Sequence, residues 1–147
     1  MNIVVLSGSP RRGANTDTMV EAFAETAREG GNTVEIVRVA GKKIAGCLGC
    51  QYCFTHEGTC VQKDDMAGVV EALKGADMVV FASPIYWFDI TAQEKVAIDR
   101  LYAFGATGFP FTKIATAKAS MMRRSLCTSQ PARTASGRTR ALSPSAV

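Results

Sequence analysis

The sequence predicts an α/β fold, a parallel sheet with helices on both faces. Three observations carry that expectation. Strand-like and helix-like segments alternate through the first 112 residues. Two of the strand candidates, residues 2–6 and 78–82, are apolar almost throughout, as strands covered on both faces are. A Gly/Ser/Pro-rich loop joins the first strand to the first helix. At 147 residues the chain has the size of one domain.

The elements follow in order. Residues 2–6 form a short β-branched run, and SGSPRRGANT at 7–16 is a loop. Thr16 is placed to cap a helix over about 17–29, with Asp17 near its positive end and Gly30-Gly31 stopping it. Residues 33–39 alternate Val34, Ile36 and Val39 with polar positions, predicting a second strand more exposed than the first. A cysteine-rich loop spans 44–63, after which Asp64 or Asp65 caps a helix to about Lys74 and Gly75 ends it. Residues 78–82 are the third strand, broken by Ser83-Pro84, and a further helix covers 91–104. A fourth strand near 113–117 is only weakly marked.

Charge divides the chain in two. Residues 1–112 carry 10 Lys/Arg against 13 Asp/Glu, whereas 113–147 carry 7 Lys/Arg and no acid. Ser and Thr fill 10 of those last 35 positions and Ile, Leu, Val and Met only 6, so the segment reads as a weakly structured basic tail appended to a domain of residues 1–112. A sheet of this class would then be incomplete at its C-terminal edge. The tail lacks the interleaved aromatics that single-strand binders stack on, so nucleic acid is disfavoured as a partner. The longest apolar run, 78–82, is far too short for a membrane span, and Met1-Asn2 leads straight into the first strand with no room for a signal peptide. A cytoplasmic protein is expected.

The loop after the first strand points to an anion. A helix N-terminus behind a parallel strand offers free N–H groups and a favourable dipole. Gly8 and Gly13 allow close approach, Ser7, Ser9 and Thr16 supply hydroxyls, and Arg11 or Arg12 adds charge. The loop matches neither GxxxxGK[ST] nor GxGxxG, which disfavours a nucleoside triphosphate or dinucleotide and suits a terminal phosphate. The alternative is a plain connecting loop. SPIYW at 83–87 argues against it, because in a sheet ordered 2-1-3 that segment neighbours the first loop at the topological switch point. Its aromatics can flank a planar ring, though they also suit helix–sheet packing.

SGSPRRGANT, ASPIYW and AQEKVAIDR at 92–100 together resemble the NADPH-dependent FMN reductase family of flavodoxin-like proteins, over about residues 1–112. The resemblance implies a flavodoxin-like, doubly wound, three-layer fold. It implies FMN phosphate contact from Ser9, Arg11, Asn15 and Thr16, and isoalloxazine contact from Pro84, Ile85, Tyr86 and Trp87, with Ser7 also counted among the cofactor-binding residues. Glu94 and Ala97 depart from the bulkier apolar residues of the family's helix, a departure expected to touch helix packing or subunit contacts more than the flavin. No catalytic acid or base is implied, because the flavin carries the chemistry. A homo-oligomer is implied.

Four of the five cysteines, Cys47, Cys50, Cys53 and Cys60, follow CxxCxxCx6C. Four thiolates at this spacing suit a soft metal or an iron–sulfur cluster. Disulfides are disfavoured in a reducing compartment, and the two separated knuckles of structural zinc are missing. The pattern is similar to that of iron–sulfur flavoproteins, a branch of the same family, which implies a 4Fe–4S cluster; the alternative is four reduced thiols in a loop. His56, alone in this loop, is assigned no role.

The expected function is an FMN-dependent NAD(P)H oxidoreductase passing electrons to a flavin, quinone or other small-molecule acceptor. Two alternatives remain: an electron-transfer iron–sulfur flavoprotein, and a truncated or frame-shifted non-catalytic chain, which the acid-free Ala/Ser/Thr/Arg bias of 113–147 suggests. A basic-tailed binding module is a third, weaker alternative.

Overall fold

The computed structural model describes residues 1–120. Strands β1 (Asn2–Ser7), β2 (Thr33–Arg38), β3 (Met78–Ile85) and β4 (Lys113–Ser120) form one sheet in the order β2-β1-β3-β4. Every pairing in it is parallel. The helices are α1 (Asn15–Glu29), the single turn α2 (Tyr52–Thr55), α3 (Met66–Lys74) and α4 (Ala92–Arg100), with 3₁₀ turns at Val39–Gly41 and Leu101–Ala106.

Alternation along the strands builds two cores. Ile3 and Val5 of β1 point with Val34 and Val80 towards Val20 and Ala24 of α1. Val4 and Leu6 point the opposite way, with Val37 and Val79, onto Met66, Val69 and Leu73 of α3 and Ala97 of α4. Apolar residues are therefore needed at consecutive positions of β1, which is why its sequence shows no polar alternation. Each fully buried Val or Leu contributes about 1.5–3 kcal/mol. The fold is the flavodoxin-like α/β sheet expected from the sequence, with β2 the more exposed strand.

Three boundaries differ from the sequence expectation. β3 does not stop at Ser83-Pro84 but continues to Ile85, pairing Pro84 with Ala119. β1 has already ended at Ser7, opposite Ala82. The side of Pro84 that lacks an N–H therefore faces no ladder partner. The helix expected over 91–104 is α4 followed by a 3₁₀ turn, with Thr91 as its N-cap. The weakly marked fourth strand is present and extends to Ser120, so the sheet draws on eight residues beyond 112. The expectations for the remainder of 113–147 lie outside the described residues. No helix among the described residues is long and apolar enough to cross a membrane.

Candidate functional site

The carboxyl ends of β1 and β3 lie side by side, with Ser7 opposite Ala82 and the Gly8 N–H donating to the Ala82 carbonyl at 2.9 Å. The chain leaves β1 for β2 on one side, while β3 pairs on the other, so the loops that follow β1 and β3 meet at a topological switch point.

The first loop runs over residues 8–14 into α1. Its helix begins earlier than the sequence suggested: the N-cap is Ala14, not Thr16, and no side chain caps the end. Asp17 explains the shift. Its Oδ2 reaches back to accept the Gly13 N–H at 2.7 Å, securing the turn while Gly13 takes a left-handed φ of 65°. The same oxygen is paired with Arg38 at the end of β2, 2.7 Å away. Burial would raise the Asp17 carboxyl, but Arg38, the Gly13 N–H and the charge of Arg12 together hold it below its ordinary value. The result is an uncapped N-terminus of a 15-residue helix whose nearby carboxylate is already neutralised. Its first-turn amides have no intrahelical acceptors and face the loop.

The hydroxyls expected at this site occupy distinct positions. Ser7, the last residue of β1, is buried with its Oγ unpartnered. Ser9 is buried, but its Oγ is spent on the Arg11 backbone, accepting the N–H at 3.3 Å and donating to the carbonyl at 3.1 Å. Thr16 is buried in the first turn of α1, and Arg11 and Asn15 stand exposed at the rim. A buried hydroxyl without a partner among the described residues, an uncapped helix end and an exposed cation on one loop suit a terminal phosphate.

The second loop leaves β3 as a tight turn. Tyr86 and Asp89 exchange backbone hydrogen bonds of 2.7 and 3.1 Å, and the two residues between them are Trp87 (φ 45°) and Phe88 (φ 73°). This is the turn that normally takes Asn-Gly, so two aromatics held there carry strain of about 1–3 kcal/mol each. Both rings face solvent, 91% and 83% exposed, and they meet edge to face at 5.7 Å. Pro84 is buried, with Ile85 and Tyr86 half-buried between it and the tip.

The loops are fastened together by α4. The Thr91 hydroxyl donates to the Gly8 carbonyl at 2.8 Å and accepts the Glu94 N–H at 3.2 Å, while Ser83 Oγ accepts the Thr91 N–H at 3.0 Å. Glu94 is wholly buried and neither carboxyl oxygen has a partner among the described residues. Burial alone pushes its pKa up to about 8. A Cβ added to Gly8 would lie 2.5 Å from the Glu94 Cβ. Glu94 therefore packs directly behind Gly8 of the first loop.

The cysteine loop is anchored at its base. Buried Arg100, at the end of α4, donates to both Asp64 oxygens at 2.8 and 3.1 Å and to the Ala45 carbonyl at 2.9 Å. Asp64 also accepts the Ala45 N–H at 3.0 Å and the Met66 N–H at 3.1 Å, and Asp65 accepts the Lys43 N–H at 2.7 Å. Burial tends to raise Asp64, but Arg100 and these N–H groups keep its carboxyl below the ordinary value. Beyond the base, Cys47 and Cys50 are exposed, Cys53 and Cys60 are half-buried, and no disulfide joins them among the described residues. Among the described residues no three Cys, His, Asp or Glu side chains are gathered as a metal site needs. The donor chemistry of four thiolates is that of an iron–sulfur cluster, but the structure does not bring three of them together. His56 stacks on Tyr52 at 3.5 Å and turns Nδ1 to the Thr55 hydroxyl and Tyr52 carbonyl.

Sequence reasoning missed Phe88, Thr91 and the siting of Glu94. Only the last left a signal, as an acid that, with Ala97, departs from the helix pattern.

Comparison with known proteins shows the family and the fold. Residues 1–130 match the family described as NADPH-dependent FMN reductase. The chain is 39% identical over 105 residues to an iron-sulfur flavoprotein of Archaeoglobus fulgidus, covering 71% of this chain and 47% of that protein. It is 34% identical over 100 residues to an iron-sulfur flavoprotein of Methanocaldococcus jannaschii, covering 68% and 51%. Among solved structures, an NAD(P)H:quinone oxidoreductase from Methanothermobacter marburgensis superposes with a TM-score of 0.68 at 22% identity, over 82% of this chain and 65% of the other, which shows the shared fold. The chain spans about half the length of the curated relatives it matches.

Proposed function

Since the chain belongs to the NADPH-dependent FMN reductase family, we propose that it binds FMN at the switch point and acts as an NAD(P)H oxidoreductase. The observation that carries this reading is the uncapped end of α1 beside an unpartnered Ser7 hydroxyl, next to an aromatic turn. Ser7, Ser9, Arg11, Asn15 and Thr16 would hold the phosphate, with α1 amides and the Arg11 charge neutralising it. Pro84, Ile85, Tyr86 and Trp87 would line the ring and keep water from one of its faces. When bound, FMN accepts hydride from a nicotinamide and returns electrons singly or in pairs. The protein's own share is binding and orientation, and Thr91 sets the distance between the two loops.

The electron acceptor is proposed as a flavin, quinone or other planar small molecule, and the active form as a homo-oligomer in the cytoplasm. The FMN-binding unit is residues 1–112 with β4 closing the sheet. A second reading, electron transfer through a 4Fe–4S cluster on Cys47, Cys50, Cys53 and Cys60, is supported by their spacing and by the names of the curated relatives. No step is assigned to it.

Flavin and iron are to be quantified on one anaerobically purified sample after adding FMN. Bound flavin with NAD(P)H-driven bleaching supports the oxidoreductase. About four irons per chain besides flavin would favour the second reading. A folded sample that retains no FMN contradicts both.

A further inference from the structure

Glu94 is the only carboxylic acid among the described residues that is fully enclosed with both oxygens unpartnered. Thr91 caps the helix that carries it, and the same Thr91 hydroxyl holds the Gly8 carbonyl, so residues 8, 91 and 94 form one contact. We propose that Glu94 is a positioning residue for the anion loop: as a neutral acid it packs behind Gly8 and keeps the loop in its phosphate-binding shape, and its ionisation loosens that grip. The inference rests on the FMN reading and deepens it by placing a proton-controlled group directly behind the phosphate.

Among the described residues no counter-ion is placed to keep Glu94 charged. Arg38 is paired with Asp17, Arg100 with Asp64, and Lys95 with Asp99 on the exposed side of α4. Arg11 and Arg12 are exposed at the loop rim. From β3, the group facing this contact is the neutral Ser83 hydroxyl, already engaged with Thr91. Burial raises the carboxyl, with no charge among the described residues contributing. Ionisation must therefore admit water, which displaces Gly8, or else leave a bare negative charge behind a bound phosphate. Either outcome weakens the phosphate site.

The test is FMN affinity of the full chain by flavin fluorescence at about pH 7 and about pH 9, constant ionic strength, for the wild type, Glu94→Gln and Glu94→Leu. The wild type is expected to bind at least about fivefold more weakly at the higher pH, the low end of ordinary site-to-site coupling. Both variants are expected to bind equally at the two values, since neither can ionise. Equal wild-type affinity at both values overturns the proposal, as does a Glu94→Gln variant that keeps the wild-type dependence. Failure of the folded wild type to bind FMN at either pH overturns the FMN reading itself, a distinct result from binding without pH dependence.

Discussion

The Thr91 hydroxyl donates to the Gly8 carbonyl at 2.8 Å across 83 residues of sequence, tying the start of α4 to the loop behind β1. One side chain thereby caps a helix and spaces the two halves of the candidate site. Thr91→Ala is expected to cost about 1–2 kcal/mol in denaturant unfolding, from the lost cap and the freed carbonyl. It should weaken FMN binding as well, and Thr91→Ser should restore most of both.

The turn at Trp87 and Phe88 stores strain that glycine would release. Phe88→Gly is expected to raise stability by about 1 kcal/mol, because φ of 73° costs glycine nothing and the Phe ring is exposed. Thermal unfolding checks it, and unchanged or lowered stability would show that the ring makes a contact worth more than the strain.

Glu94 gives stability a definite pH dependence. Its pKa is about 8 in the folded chain against an ordinary 4.5, so the folded state keeps a proton that the unfolded state has released. Its stabilising share is complete below the ordinary value, falls as pH rises towards 8, and is gone above it. At about 1.4 kcal/mol for each pH step between the ordinary and the raised value, the loss amounts to a few kcal/mol. Glu94→Gln should flatten this part of the profile, as read by urea midpoints at a series of pH values.

Arg100 is buried against Asp64 and holds both ends of the cysteine loop. Arg100→Met leaves Asp64 uncompensated and is expected to cost about 3–5 kcal/mol. Proteolysis within residues 44–63 should accelerate in the same variant, whereas cleavage elsewhere should not.

Much of the fold was legible because burial on both faces leaves its mark on sequence: residues 3–6 and 78–82 can be little other than central parallel strands. What was hidden depends on contacts remote in sequence. Pro84 reads as a strand breaker, and it is harmless only because β1 stops at Ser7. Thr16 reads as a cap, yet Asp17 secures the turn at Gly13 and moves the helix start back to Asn15. Nothing in Trp-Phe resembles the Asn-Gly of the turn it occupies. The cysteine spacing lies open in the sequence, but spacing does not set the path of the loop over 44–63, whose shape comes from Arg100, Asp64 and Asp65 at its base.

The central claim is that the switch-point loop grips a terminal phosphate. Titration of the folded chain with FMN and with riboflavin, which is the same ring system without the phosphate, tests it most directly. The account predicts one FMN per chain, bound at least about tenfold more tightly than riboflavin, a difference of about 1.4 kcal/mol that charge-assisted hydrogen bonds to the loop readily supply. Equal affinity for the two, or no binding of either, would contradict it.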